Sequence, residues 1–194
     1  MIQCERVTGH MLLKIGHRPD HDFDQPLGLL SDCHRRIEHF LAVLTAITND
    51  VRGAEMTAAQ RAQLEGAATY FLTAAPRHTA DEEDSLFPRL RASHDPKAAA
   101  ALALVDRLED DHAAATEHHE VVDRLARRWL ADGRLAAADV EQLRERLAHM
   151  TSMYAAHIAI EDNQVFSAAA EILSKDDIRE IGLEMMGRRS PRGG

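Results

Sequence analysis

The sequence predicts an all-α fold, an antiparallel up-down four-helix bundle followed by a short C-terminal helix, and three features carry that expectation. The 194 residues hold 32 Ala and 21 Leu against only 17 Val plus Ile, with 4% aromatics. Ala and Leu lose little conformational freedom in a helix, whereas sheets favour β-branched and aromatic side chains. Apolar residues recur at helical spacing through four long segments. The breaks between those segments are short, which makes neighbouring helices run antiparallel.

Each element follows from local chemistry. Residues 1–25 read as an irregular arm, because Gly9, Gly16, Pro19 and the aspartates Asp20, Asp22 and Asp24 interrupt any period. Pro26 suits a first helical turn, where its missing N–H is no loss. Leu27, Leu30, Ile37, Leu41, Leu44 and Ile47 then recur at helical spacing, and the run Asn49 to Gly53 ends the first helix. Thr57 is a good N-cap for a second helix reaching about Ala92, with Pro76 inside it as a kink. Asp95-Pro96 opens a third helix, which stops at Asp132 before Gly133. The fourth spans about Asp139 to Leu173. Ser174 and Asp177 resemble a capping box for the short last helix, expected to stop at Gly187 and to pack outside the bundle. The bundle is thus assigned to residues 26–173, the short helix to 174–187 and a disordered tail to 188–194.

Composition narrows the function classes. The net charge is −9, from 23 Lys+Arg against 32 Asp+Glu, so there is no broad basic surface to neutralise nucleic-acid phosphates. No run of 18 apolar residues suggests a membrane span, and the N-terminal stretch has no continuous apolar segment of a secretion signal. Cys4 and Cys33 make no disulfide framework. These features point to a cytoplasmic protein.

The informative residues are among the 12 histidines. The segment His78-Thr-Ala-Asp-Glu82-Glu83-Asp84-Ser-Leu86-Phe87 aligns with His157-Ile-Ala-Ile-Glu161-Asp162-Asn163-Gln-Val165-Phe166, 79 residues later. His34 and His112 are offset by 78. One helix pair therefore repeats the other, with a lone His on its first helix and His-x-x-x-Glu on its second. Residues i and i+4 share a helix face one turn apart, so such a His and Glu can reach a common ion. Depth agrees for the second pair: His112 stands 20 residues before Asp132, and the midpoint of His157 and Glu161 stands 20 after Asp139. The first pair matches less closely, 16 against 23 residues, with the loop left to absorb the difference.

Two bland explanations compete: surface i,i+4 pairs, and a buried polar network without metal. The shared flanks and near-equal offsets oppose the first, and the cost of burying such groups unpaired opposes the second. Four imidazoles and two carboxylates suit borderline-to-hard ions. A tetrahedral zinc needs only four ligands, so two six-coordinate ions fit better, with iron the leading choice. The order is unlike ferritin-type sites, which use Glu-x-x-His at i,i+3.

On these residues the chain resembles the hemerythrin-like proteins of the HHE cation-binding family over roughly residues 26 to 173. The resemblance rests on Asp32-Cys33-His34-Arg35-Arg36-Ile37-Glu38, on His78-x-x-x-Glu82 with Leu86-Phe87-Pro88, on Asp111-His112, and on His157-x-x-x-Glu161 with Val165-Phe166. It implies a bundle enclosing a non-haem di-iron centre, two Fe ions joined by carboxylate and oxo or hydroxo bridges. By position, His34, His78, His112 and His157 would be terminal ligands, and Glu82 and Glu161 would bridge. The chain departs from the oxygen-carrying hemerythrins in having Thr116 where they have a second histidine on helix three. It also offers both Glu161 and Asp162 where they use an aspartate. The missing ligand favours chemistry or sensing at an open coordination position over reversible oxygen carriage. Iron-centre repair proteins and other bacterial hemerythrin-like domains are closer in pattern, although the cysteine-bearing N-terminal domain of the repair proteins is not evident.

The expected partner is a small ligand, oxygen, nitric oxide or peroxide; the alternative is iron storage, delivery or sensing without turnover. No side chain stands out as a general acid or base, so enzymatic turnover is not assigned. Glu38 is either a seventh ligand or an ion-pair partner of a nearby arginine. Glu83 and Asp162, about 100° round their helices from the ligands, suit supporting or solvated roles. His119, two turns from His112, is expected at the surface or behind the site. His118, His39, His94 and His149 read as solvated histidines, and His10, His17 and His21 as part of a flexible arm. Tyr70 and Tyr154 read as core residues able to place a hydroxyl near the site. Cys33 should point away from the metals.

Overall fold

The computed structural model describes residues 19–190. The arm before Pro19 and the last four residues of the expected tail lie outside that range. Among the described residues the chain is helical throughout, with no strand, and no helix is long and apolar enough to cross a membrane.

Four rods form the bundle. The first is α1 (Pro26–Val51), with its proline in the first turn as its chemistry demands. The second is built from α2 (Ala58–Thr73), α3 (Ala75–Asp81), a π-helical turn (Glu82–Leu86) and α4 (Phe87–Ala92). Thr57 caps α2 in a full capping box with Gln60. Pro76 falls in the first turn of α3, so the expected kink is a break at Ala74 that spares the proline a lost hydrogen bond. A short 3-10 turn (Pro96–Ala98), capped by the Asp95 carboxylate on the Lys97 N–H, leads into α5 (Ala99–Asp132), the third rod. The fourth comprises α6 (Ala137–Ile160), a second π-helical turn (Glu161–Val165) and α7 (Phe166–Ile172). Finally α8 (Lys175–Arg189), capped by Ser174 and Asp177, packs against α1 and α3 from outside.

Two boundaries differ from the sequence expectation. α8 passes through Gly187 to Arg189, so Arg188 and Arg189 are helical rather than part of a tail. Both guanidiniums reach the buried Asp81 carboxylate, and that pairing outweighs the roughly 1 kcal/mol helix penalty of one glycine. Residues 19–25 are irregular but pinned. The His21 N–H donates to the Asp32 carboxylate at 2.8 Å, and Arg189 lies over the Phe23 ring. Gly182 of α8 takes the Phe23 backbone so closely that no Cβ would fit between them. His21 therefore belongs to the packed structure, not to a flexible arm.

The core is split in two. One apolar cluster gathers Ile37, Leu41, Leu64, Phe71, Ala115, Leu125, Trp129, Leu143 and Tyr154 toward the loop end that holds Gly53 and Leu135. The other gathers Leu30, Leu86, Phe87, Leu90, Leu108, Val165, Phe166, Ile181 and Met185 toward α8. Along each rod the predicted polar residues fall between members of the two clusters: His34 between Leu30 and Ile37, His112 between Leu108 and Ala115. A polar belt thus crosses the bundle between two apolar plugs.

The loop end is closed by backbone contacts. The Leu135 N–H donates to Gly53 O at 2.8 Å, and the Trp129 indole donates to Ala54 O at 3.0 Å. Gly53 has φ +76°, and a Cβ there would strike the Leu135 carbonyl. The left-handed conformation alone costs an L-residue about 1–2 kcal/mol. A Gly53→Ala protein should therefore be less stable by about 2 kcal/mol in urea unfolding, with unchanged helix content; a change below about 0.5 kcal/mol would contradict this packing.

Candidate metal centre

The polar belt brings all six predicted residues together. His34 (α1), His78 (α3) and His157 (α6) are buried, Glu82 and Glu161 are wholly so, and His112 (α5) keeps only a sliver of exposure. Two groups share one point each. A nitrogen or oxygen from each of His34, His78, Glu82 and Glu161 lies within 4.8 Å of the others, and the same holds for His112, His157 and Glu161. The imidazoles pair accordingly, with ring centroids 4.8 Å apart for His34 and His78 and 4.7 Å for His112 and His157.

The carboxylates lie between the pairs. Glu161 Oε2 stands 3.0 Å from His34 Nε2 and 3.1 Å from His157 Nε2. Glu82 turns Oε1 to His78 Nε2 at 3.4 Å and to His34 Nε2 at 3.7 Å, and Oε2 to His112 Nε2 at 3.4 Å. Glu161 therefore faces one histidine from each pair, and Glu82 faces both of the first pair and His112 of the second.

Both glutamates open a π-helical turn, and the two turns occupy equivalent places in the repeated segments. A π turn adds a residue to the helical circuit, and such turns recur at functional sites. Here the second residue of each turn is an acid with an outward task. The Asp162 carboxylate accepts from His34 Nδ1 at 3.0 Å and from the Ser31 hydroxyl at 2.8 Å. The Glu83 carboxylate accepts from His112 Nδ1 at 2.8 Å. Asp111 stands 3.5 Å from His157 Nδ1. In the neutral ring, the form that binds a metal, a carboxylate that only accepts places the proton on Nδ1 and leaves the Nε2 lone pair turned inward. Asp162 is thus a support for His34, and the inner carboxylate is Glu161.

Electrostatics show what the arrangement demands. Burial works against the His34 cation, but the Asp162 hydrogen bond and the nearby Glu161 and Glu82 carboxylates outweigh it and hold its pKa well above the ordinary value. Burial, with the neighbouring His34, pushes His78 well below its ordinary range, and burial with His157 lowers His112. Burial and the adjacent Glu161 drive the Glu82 carboxyl well up. Burial also opposes the Glu161 anion, yet His157 and His34 overcome it and hold that carboxyl low. Both oxygens of Glu82, both of Glu161 and His34 Nε2 are buried without a hydrogen-bond partner in the chain. Leaving such atoms unpaired is costly, and a cation accepting all these lone pairs removes the cost. The donor set, imidazole nitrogen and carboxylate oxygen, fits a borderline-to-hard metal.

The remaining candidates fall outside the cluster. Glu38 is exposed and joins neither group. Thr116 is exposed, its hydroxyl donating to His112 O at 3.2 Å. The Tyr70 hydroxyl donates to Cys33 O, and the buried Cys33 thiol lies beside the Arg36 guanidinium, away from the cluster. His118 packs against His149. His119 pairs with the Tyr154 hydroxyl at 2.7 Å, and these two side chains with His112 line a cavity of about 400 Å³. Neither the supporting role of Asp111 nor that of Ser31 was expected. The adjacency of Asp111 to His112 was a signal, but its partner sits on another helix.

The outer acids carry a quantitative expectation. Outer hydrogen-bond partners of metal-bound histidines typically contribute 10–100-fold in affinity. Glu83→Gln and Asp162→Asn should each weaken metal binding by about 10-fold or more in a competitive chelator titration, leaving helix content intact. Unchanged affinity in both would deny them that role.

Residues 25–169 match the sequence profile described as the hemerythrin HHE cation binding domain. A Haemophilus influenzae protein described as uncharacterized is 26% identical over 167 residues, covering 86% of this chain and 91% of that protein.

Proposed function

The chain belongs to the hemerythrin HHE cation-binding family, and from that premise we propose that it is a di-iron protein whose centre binds or reacts with a small ligand, oxygen, nitric oxide or peroxide. His34 and His78 would hold one ion and His112 and His157 the other, with Glu82 and Glu161 supplying carboxylates to both. The observation that carries this reading is the set of buried, inward-facing and unpartnered atoms on Glu82, Glu161 and His34.

Two bound irons supply a redox couple and coordination positions open to an exogenous ligand. The protein's own part is placement. Asp162, Glu83 and Asp111 orient the rings of His34, His112 and His157. The apolar clusters on either side exclude bulk water and so influence the potential. Thr116, in place of a further histidine, leaves the His112 side short of a ligand and near the cavity. That asymmetry favours ligand binding at the open position over iron storage.

Metal quantitation of freshly purified protein tests the proposal, together with anaerobic addition of ferrous iron. Binding at 100 times Kd should stabilise the fold by about 2.7 kcal/mol. For a chain of this size that is a rise of roughly 5–10 °C in the unfolding midpoint. Nitric oxide or peroxide should then change the optical spectrum of the iron-loaded protein. Protein that neither carries nor takes up a transition metal would overturn the reading; loaded protein whose spectrum ignores all three ligands would leave only iron handling.

A further inference from the structure

The cavity beside His112 is far larger than a diatomic ligand requires. Its volume of about 400 Å³ compares with about 30 Å³ for one water in the liquid and falls in the range of sites for small organic molecules. Its walls are apolar, formed by Ala68, Phe71, Leu72, Ala75, Ala115 and Val122 from α2, α3 and α5. Leu72 is 53% exposed at the edge, an unusual position for a large apolar side chain in this protein.

Two polar atoms among the lining residues are buried and unpartnered: His119 Nδ1 and Asp123 Oδ1. His119 Nε2 is already engaged with the Tyr154 hydroxyl, and the other Asp123 oxygen accepts from Arg127 at 2.7 Å. Burial pushes the His119 pKa down to about 4, so its ring is neutral near pH 7. In one tautomer Nδ1 needs an acceptor, in the other a donor. Asp123 Oδ1 needs a donor. A hydroxyl meets both demands when Nδ1 carries the proton, accepting from Nδ1–H and donating to Asp123 Oδ1, while the Tyr154 hydroxyl donates to Nε2. A carboxylate cannot donate, and it would meet the acids Asp123 and Glu120 in the same wall. An ammonium head has donors only and cannot accept from Nδ1–H, and Arg127 already neutralises Asp123.

We propose that this cavity binds a neutral, apolar-tailed alcohol, its tail against Phe71, Ala75 and Val122 and its hydroxyl at His119 and Asp123. Binding itself needs no metal. The inference rests on the di-iron reading only in placing the occupant on the His112 side of the centre, as an organic co-ligand or substrate.

The test uses 4-methylbenzyl alcohol as probe, with 4-methylbenzoate and 4-methylbenzylamine as controls, titrated into the full chain in both metal-free and iron-loaded forms. Amide resonances are followed by nuclear magnetic resonance. Saturable shifts centred on Ala68, Leu72, Ala115 and Thr116 are expected for the alcohol, with at least about 10-fold weaker binding of the benzoate and the amine. Ala68→Phe should fill the cavity and abolish the shifts. His119→Phe keeps the ring volume, removes both nitrogens, and should weaken binding by about 10-fold; its dispersed native spectrum guards against misfolding. No saturable shift in either metal state overturns the site, and tighter binding of the amine or the benzoate overturns the head-group assignment. Alcohol binding to a protein that takes up no iron would overturn the di-iron reading and leave this one standing. Iron uptake without alcohol binding would do the reverse.

Discussion

A Glu161→Ala protein should lose its capacity to hold a metal pair. Glu161 is the one residue common to both groups of converging atoms, within 3.0 Å of His34 Nε2 and 3.1 Å of His157 Nε2. Its removal would take away the one carboxylate that both groups of donors share, and with it the charge that would offset the proposed pair of cations. Losing an outer partner alone costs 10–100-fold in affinity, so loss of this inner carboxylate should exceed about 100-fold. Iron per chain, measured by mass spectrometry after desalting, should fall to a small fraction of the parent value. In the metal-free protein the same substitution also takes from His34 and His157 the carboxylate that faces them, so a loss of stability beyond the lost packing is expected there as well. Metal uptake by the parent and its loss in the variant separate a metal site from an ordinary structural ion pair. A metal-free protein strongly destabilised by Glu161→Ala, with the parent showing no metal uptake, would make the cluster a structural network instead.

Asp81→Ala should give the largest loss of stability outside the centre. Asp81 is fully buried one residue before Glu82, and it accepts from Arg188 at 3.0 Å and from Arg189 at 2.5 and 3.2 Å. The two guanidiniums remain about a quarter exposed, so solvent relieves part of their charge once the partner is gone. Breaking a buried pair by deleting one member costs about 3–5 kcal/mol, and the lower end applies here. Roughly 10 °C in the midpoint of thermal unfolding is the corresponding shift. Limited proteolysis should then cut α8 first, because these contacts anchor its last turn. A midpoint within about 2 °C of the parent would show that α8 is held by Ile181 and Met185 alone.

Much of the centre was legible because it is written twice. His78 with Glu82 and His157 with Glu161 share flanking residues at a fixed offset, so periodicity and repetition together marked one face of two helices. His34 and His112 carried the weaker signal of a matching offset. The π-helical turns were not legible: a change from i→i+4 to i→i+5 hydrogen bonding over five residues leaves no trace in apolar spacing. Nor was the break at Ala74, since Pro76 reads equally well as a kink within a helix or as the start of a new one. Gly187 looked like a stop because the partner that holds Arg188 and Arg189 in the helix beyond it, Asp81, lies more than a hundred residues away.

Composition and the 3.6-residue period by themselves determined that this chain makes long helices, how many, and which six side chains face inward. Those properties are local, set by backbone preference and by solvent avoidance along one face. Tertiary structure alone decided which histidine pairs with which, that Asp162 and Glu83 support His34 and His112 from outside, and that a cavity reaches His112 and no other member of the centre. Such choices depend on the rotation and depth of one rod relative to another. Those are fixed only when the apolar plugs on both sides of the polar belt pack together.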